Sequence, residues 1–153
     1  MTEVDARDFK RLRLDRDGVQ LKLDFVADRV PRVGVPIRIG TASVDTVRNI
    51  LSNKICAILG RDEGRDIADL MWISMKRRFF WPEVFVEAGR KEVFSMEDFL
   101  YRLSTFPLSA LSDIPFASER RVDEYRAALA GMRKDIEAQR DNSLALDDAV
   151  DLG

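Results

Sequence analysis

The stretch NKICAILGRDEGRDIADL, residues 53–70, decides how this chain folds, because it sets charged side chains on the apolar faces of two successive helices. At helical spacing, Lys54 falls in the middle of an apolar stripe, since its neighbours three and four residues away are all apolar. In the second helix, Asp66 falls on the inward face and Asp69 on the flank. The neighbours of Lys54 are Ile50, Leu51, Ala57 and Ile58.

The inward charges of this stretch have two interpretations. An unpaired buried charge is strongly destabilising, so Lys54 and Asp66 either form a structural ion pair or line a cleft that admits water and a ligand. A lysine can also extend along its own stem to reach water. Both interpretations predict that Lys54 and Asp66 are neighbours, and the pattern alone leaves the choice open.

The composition predicts one folded domain. The chain has 153 residues, of which 46% are hydrophobic and 34% charged, which is enough for a single core. A net charge of -2 gives no general attraction for nucleic acid. No apolar run approaches the roughly 20 residues of a membrane span, and the charged start does not resemble a signal peptide. We therefore expect a cytoplasmic protein.

The residue types that are missing exclude several kinds of chemistry. The sequence has no histidine, so it cannot form a Ser-His-Asp triad, a Cys-His dyad or a histidine-ligated zinc site. Cys56 is the only cysteine, which excludes disulfides within the chain and cysteine-rich metal sites. Any catalysis would rest on carboxylates, Lys, Arg, Tyr or Ser.

The N-terminal segment predicts an antiparallel hairpin. Two alternating runs, residues 9–14 and 19–27, flank a charged turn that ends in Gly18. In the second run, the apolar residues share one face and Asp24 lies on the other. On this pattern, Asp24 is a solvated carboxylate.

The rest of the chain predicts a helical cluster, and hence an α+β fold. We expect a loop over residues 31–40 with one short strand at 37–39. Helices should follow from an N-cap at Ser43 or Asp45 to about residue 59, and over residues 63–78. Three more are expected from Trp81, from the Ser95 cap to about residue 105, and over residues 118–140. We predict one domain over residues 1–140, with a sheet portion 1–40 and a helical portion 43–140, and a disordered acidic tail over residues 141–153.

The basic-aromatic run KRRFFW, residues 76–81, also has two interpretations. It could form an RNA-binding surface in which cations contact phosphates and aromatic rings stack on bases. Alternatively, the cations end a helix and complement its dipole, and the aromatic residues belong to the core. The pattern favours the second interpretation.

Three of these segments together resemble the later part of the AbiEii/AbiGii-type nucleotidyltransferase toxins. They are LKLDF (residues 21–25), SVDTVRNILSNKICAILGR (43–61) and GRDIADL (64–70), and the resemblance continues more faintly through WPEVFVEAGRKEVF. It implies a partial nucleotidyltransferase-like sheet followed by helices. It also implies transfer of a nucleotide from a nucleoside triphosphate (NTP) to an acceptor such as RNA, with Mg²⁺ as the metal.

The resemblance also implies roles for single residues. Asp24 would be a catalytic carboxylate that binds the metal, Lys54 would be catalytic and contact the NTP phosphates, and Asp66 would be the late catalytic aspartate. The supporting nucleotide-binding residues would be Arg61, Arg65 and Asp69. These residue types suit the chemistry, since Mg²⁺ prefers carboxylate oxygens and a lysine balances phosphate charge.

The chain departs from the family before Asp24. The 23 preceding residues contain neither the Gly-Ser motif nor the Asp-x-Asp strand of the family, and one carboxylate does not make a two-metal site. We therefore expect a domain that is inactive alone, whose early motifs either lie on a separate N-terminal polypeptide or were lost by a shifted start. The alternative is a non-catalytic domain that binds a nucleotide, an antitoxin or, through an exposed sheet edge, a second copy of itself.

Overall fold

The chain divides into two compact units, Met1–Val30 and Pro31–Gly153. The computed structural model describes residues 1–111, 114 and 122–153. The predicted α+β class is confirmed, with an N-terminal antiparallel sheet followed by helices. Residues after Val30 belong to the helical unit because their backbone bonds to its first helix. The Val33 N–H donates to Asn49 Oδ1 at 2.8 Å, and Thr46 Oγ1 donates to the Val33 carbonyl, also at 2.8 Å.

The first unit is a three-stranded antiparallel sheet whose strands lie side by side in their sequence order. Its strands are β1 (Thr2–Ala6), β2 (Phe9–Arg16) and β3 (Val19–Val26). The predicted hairpin is β2 and β3, joined at Asp17 and Gly18, which have φ of 53° and 78°. These left-handed residues fit a tight hairpin turn, in which Asp-Gly is favoured. The sequence analysis missed β1, which pairs with β2 across a register shift between Thr2 and Val4.

The second unit begins with a small hairpin where a single strand was predicted. Strand β4 (Ile37–Ile39) pairs antiparallel with β5 (Ala42–Val44), and Gly40 at their turn has φ of 61°. The hairpin leads into α1, whose N-cap is Thr46 instead of Ser43 or Asp45. Thr46 Oγ1 accepts a hydrogen bond from the Asn49 N–H at 3.0 Å, which satisfies one of the free N–H groups of the first turn.

Five α-helices and a 3₁₀ helix make up most of the described part of the second unit. Ser95 and Asp98 form the predicted capping box, in which each side chain bonds to the other residue's backbone N–H. The predicted start of the last helix, at Ser118, lies outside the described residues. The helices are α1 (Val47–Gly60), α2 (Gly64–Lys76), α3 (Trp81–Gly89), α4 (Met96–Thr105) and α5 (Val122–Glu137), with the 3₁₀ helix at Leu108–Leu111.

The core of the second unit lies where these helices meet. Trp81 and Phe99 are fully buried, and Phe85 contacts both rings, at centroid distances of 6.1 and 5.4 Å. Aromatic pairs in edge-to-face or tilted arrangements add to the stability that comes from burying their surface. None of the described helices combines the length and the hydrophobicity that a transmembrane span requires. Other core residues include Leu51, Ile55, Ile58, Ile67, Leu70, Met132 and Ile136.

The C-terminal segment, predicted to be a disordered tail, packs on the second unit instead. Asn142 Nδ2 donates to the carbonyls of Ser74 and Arg77, at 2.6 and 3.0 Å. Ala149 and Leu152 are buried. Strand β7 (Val150–Asp151) pairs in parallel with β6 (Arg77–Arg78). Leu144 packs against the core, whereas Leu146 and Val150 are exposed, so the buried residues of this segment follow no helical or strand period that could have predicted its position.

The turn between α1 and α2 gives a test of packing through its two glycines. A Cβ added to Gly64 would lie 2.1 Å from the Ala110 carbonyl oxygen, whereas a Cβ at Gly60 would meet nothing within 4 Å. We expect Gly64→Ala to lower the free energy of unfolding by about 1–3 kcal/mol or more, because backbone must shift to relieve the clash. Gly60→Ala, the matched control, should be neutral or stabilising. Urea titrations of both variants would measure this, and equal stabilities would contradict the packing of the 3₁₀ helix against α2.

Candidate functional site

A cluster of four charged side chains joins the end of α1 to the start of α2. Lys54 lies on α1, and Arg61 is the first residue after the end of α1. Asp66 and Asp69 lie on the first two turns of α2. The sequence analysis predicted that all four belong to one site. The structure brings them together, although it does not test the roles that the resemblance assigned to them.

Asp66 is the buried centre of the cluster. Asp66 is 1% exposed, which confirms the prediction that its side chain points inward. Each carboxylate oxygen accepts one charged hydrogen bond, Oδ1 from Lys54 Nζ at 2.9 Å and Oδ2 from Arg61 Nε at 2.8 Å. Asp66 also lies in the first turn of α2, where the helix dipole favours a negative charge. Its charge is therefore compensated from three directions.

Lys54 is shared between two carboxylates. Its ammonium lies 2.9 Å from Asp66 Oδ1 and 2.5 Å from Asp69 Oδ2. The Lys54 side chain is largely buried, whereas the Asp69 side chain is one-third exposed and faces the solvent side of the cluster. Two cations and two carboxylates sum to zero charge, which is the arrangement expected of a structural ionic network.

The pKa values of the cluster favour the charged forms. Burial acts to raise the pKa of Asp66, but the hydrogen bonds from Arg61 and Lys54 outweigh it, and the pKa lies below its ordinary value. Burial likewise acts to lower the pKa of Lys54, and the bonds to Asp69 and Asp66 raise it above its ordinary value. The hydrogen bond to Asp66 raises the pKa of Arg61. All three groups are therefore ionised at neutral pH.

Arginines surround the solvent side of this turn. The Arg61 side chain is 60% exposed although its Nε bonds to Asp66. Arg65 is exposed and has no ion pair with a described residue. Arg102 of α4, which the sequence analysis missed, donates to the Ile58 carbonyl at 3.0 Å and lies 2.8 Å from Asp62 Oδ1. No local pattern marked Arg102, because its partners are some forty residues away in the sequence.

A second polar network, also missed, lies further towards the start of α1. Lys91 Nζ donates to Asn49 Oδ1 and Asn53 Oδ1, both at 2.5 Å. Asn49 is fully buried and its Nδ2 donates to Asp45 Oδ2 at 2.5 Å. These bonds tie the residues before α1 to the segment after α3, so the network has a structural purpose. An asparagine on an apolar helix face was the signal that could have found it.

Asp24, the predicted metal ligand, belongs to the first unit. It lies opposite Arg11 in the β2-β3 ladder, and the Arg11 guanidinium donates to both of its oxygens, at 2.7 and 2.9 Å. The hydrogen bond from Arg11 lowers the pKa of Asp24. No three side chains of Asp, Glu or Cys cluster as a metal site among the described residues. A single carboxylate whose oxygens are both paired does not fit Mg²⁺, which prefers several free oxygen ligands.

The basic-aromatic run agrees in part with its second interpretation. Lys76 ends α2, and Phe79 and Trp81 are buried in the core with ring centroids 5.0 Å apart, whereas Phe80 is exposed. The three cations of the run contact the C-terminal segment. Lys76 Nζ lies 2.8 Å from Asp148 Oδ2. Arg77 donates to the Asp151 carbonyl at 3.5 Å, and Arg78 donates to the Asp147 carbonyl at 3.0 Å. An RNA strand would have to displace these contacts.

Comparison with protein-family models, with characterised proteins and with solved structures finds no match to this chain. A function must therefore be argued from the geometry above and from the resemblance in the sequence.

Proposed function

We propose that this chain is a nucleotidyltransferase-like domain that binds the phosphates of an NTP at the start of α2 and does not transfer the nucleotide by itself. The observation that carries the proposal is the pair of exposed arginines, Arg61 and Arg65, at the α1-α2 turn. The N-cap residue Glu63 makes no side-chain capping bond there, and the Asp66 N–H of the first turn donates to the Glu63 carbonyl at 3.0 Å, so no capping side chain occupies the start of α2.

The buried part of the cluster supports this surface. Lys54 neutralises Asp66, which would otherwise repel a phosphate at this helix end. Because Asp69 is partly exposed, a phosphate oxygen can compete with its carboxylate for the Lys54 ammonium. The buried Asp66 thus holds the turn together, whereas the Lys54 ammonium and the exposed Arg61 and Arg65 are the cations that would contact the phosphates.

Transfer itself needs metal ligands that the described residues do not bring together. Both oxygens of Asp24, in the first unit, are paired with Arg11, so this carboxylate has no free oxygen for a metal. The carboxylates would come from a separate polypeptide. The expected activity of the chain alone is binding.

The test is calorimetry of the purified chain with each of the four NTPs in the presence of Mg²⁺. We expect Arg61→Ala combined with Arg65→Ala to weaken binding at least roughly tenfold, because two phosphate-facing charges are lost. Arg90→Ala, which removes an exposed arginine after α3, is the control and should bind normally.

Two results would contradict the proposal. One is the absence of NTP binding by the native chain. The other is binding that survives in the double variant, with Lys54→Ala altering only stability, which would leave the cluster a purely structural network. Transfer of labelled nucleotide to RNA by this chain alone would contradict the statement that it only binds.

A further inference from the structure

Strand β3 is an open edge of the N-terminal sheet. It lies at the end of the order β1-β2-β3, and within the described residues no other strand pairs with its outer side. Its eight residues pair with β2 without interruption, whereas the opposite edge, β1, carries a register shift. Proteins protect sheet edges with bulges, prolines, short strands or charged side chains, and of these β3 has only the charged side chains Lys22 and Asp24. An edge of this length can pair with another strand that matches these charges.

The backbone groups that face this edge can be assigned from one hydrogen bond. Ala27, directly after β3, donates its N–H to the carbonyl of Asp8, directly before β2, at 3.0 Å. Because successive residues of a strand direct their N–H and C=O groups to opposite sides, the odd-numbered residues of β3 face β2. The even-numbered residues therefore direct their backbone groups to the open side. They are Gln20, Lys22, Asp24 and Val26.

The first unit is too small to be stabilised by its own burial. It has 30 residues, fewer than the roughly 40 below which domains usually need disulfides, metals or oligomerisation, and the only cysteine of the chain lies outside it. On its apolar face, Leu21 is 52% and Phe25 54% exposed, and Leu14 beside them is 48% exposed. Exposed apolar side chains in this number mark an interaction surface.

The sequence of β3 is complementary to itself in one antiparallel register. With Leu23 opposite Leu23 of a second copy, Lys22 lies opposite Asp24 twice, and Leu21 lies opposite Phe25 twice. Registers centred on Lys22 or on Asp24 set like charges directly opposite each other, which is destabilising. Of these three registers, only the one centred on Leu23 matches both the charges and the apolar residues, over the five paired positions 21–25.

We propose that two copies of this chain associate through β3, antiparallel and centred on Leu23, to form a continuous six-stranded sheet. The outward backbone groups of both copies then bond to each other, since Lys22 and Asp24 face each other as a hydrogen-bonded pair. Asp24 lies between Arg11 of its own copy and Lys22 of the other. The association is independent of nucleotide binding at α2.

The first experiment measures the oligomeric state of the chain and how it changes when one charge of β3 is reversed. Light scattering of the full chain over a range of concentrations should show a dimer. Lys22→Glu, which sets two carboxylates opposite each other and leaves the Arg11–Asp24 pair intact, should dissociate it at least tenfold more readily. Arg16→Glu, the same charge change on the central strand β2, is the control and should remain dimeric. A monomer at every concentration, or a Lys22→Glu dimer as tight as the native one, would overturn the proposal.

The second experiment tests the register in a Cys56→Ser background. Leu23 residues opposite each other would form a non-hydrogen-bonded pair with Cα atoms about 4.5 Å apart, within the range of a disulfide. Leu23→Cys should therefore cross-link rapidly on mild oxidation, while Leu21→Cys, which faces Phe25, should not. Two results would contradict the register centred on Leu23. One is a dimer that does not cross-link through Leu23→Cys. The other is cross-linking only in a mixture of Leu21→Cys and Leu23→Cys, because that disulfide needs a different pairing of the two strands.

Discussion

Asp66→Ala is expected to lower the free energy of unfolding by about 3–5 kcal/mol, because it leaves the buried Lys54 ammonium without its inner partner and removes the partner of Arg61. Urea or thermal unfolding followed by circular dichroism would measure the loss. Asp69→Ala, which removes the one-third exposed partner of the same lysine, is the matched control and should cost much less. If the two variants unfold alike, Asp66 is not the centre of the network.

A double variant separates charge from packing. Lys54→Met with Asp66→Leu removes both members of the buried pair and replaces them with apolar groups of similar size. Replacing a buried pair in this way is often neutral or stabilising, whereas breaking it is not. We therefore expect the double variant to be clearly more stable than Asp66→Ala and to have lost NTP binding. If it is as unstable as Asp66→Ala, the stability comes from something other than the paired charges.

The same pair predicts the acid side of the stability profile. Because the folded-state pKa of Asp66 lies below its unfolded value of about 3.9, its contribution is fully present above that value. The contribution is lost as the pH falls through the lower folded-state pKa. Asp66→Asn should therefore flatten the decrease in stability below about pH 4 relative to the native chain. An unchanged acid profile would contradict the direction of this pKa shift.

Removal of residues 141–153 is expected to destabilise the second unit by at least about 3 kcal/mol. Burying a leucine side chain contributes roughly 1.5–3 kcal/mol, and the Ser74 and Arg77 carbonyls that accept from Asn142 would lose their partner, at roughly 1–3 kcal/mol for a buried group. A chain that ends at Arg140, compared with the full chain in urea titrations and limited proteolysis, would measure the loss.

Two single variants serve as controls for the truncation. Leu152→Ala should reproduce part of the loss, because Leu152 is the buried side chain at the end of the segment. Asp148→Asn removes only the exposed pair with Lys76 and should leave the stability unchanged within error. If the truncated chain is as stable as the full chain, residues 141–153 do not stabilise the second unit, which would agree with the disordered tail expected from the sequence.

The helical half of the fold could be predicted because its signals are local. The apolar period of residues 47–58, the Ser95–Asp98 capping box and Pro82 in the first turn of α3 each act within a few residues, and the structure has a helix at each place. The inward position of Asp66 followed from the same period. Strand β1 could not be found, since its pairing with β2 depends on a neighbour and not on its own pattern.

The sequence by itself determined which residues form the helices and the β2-β3 hairpin, and which charges turn inward, because helical and strand periods are properties of neighbouring residues. Only the tertiary structure decided the partners of those charges and the position of the C-terminal segment. Asp24 pairs with Arg11, Lys54 with two carboxylates, and Asn142 with the end of α2, and each of these choices depends on backbones that meet only after folding. The free energy of a buried charge depends on every group that surrounds it, and a one-dimensional period contains only the groups of its own helix.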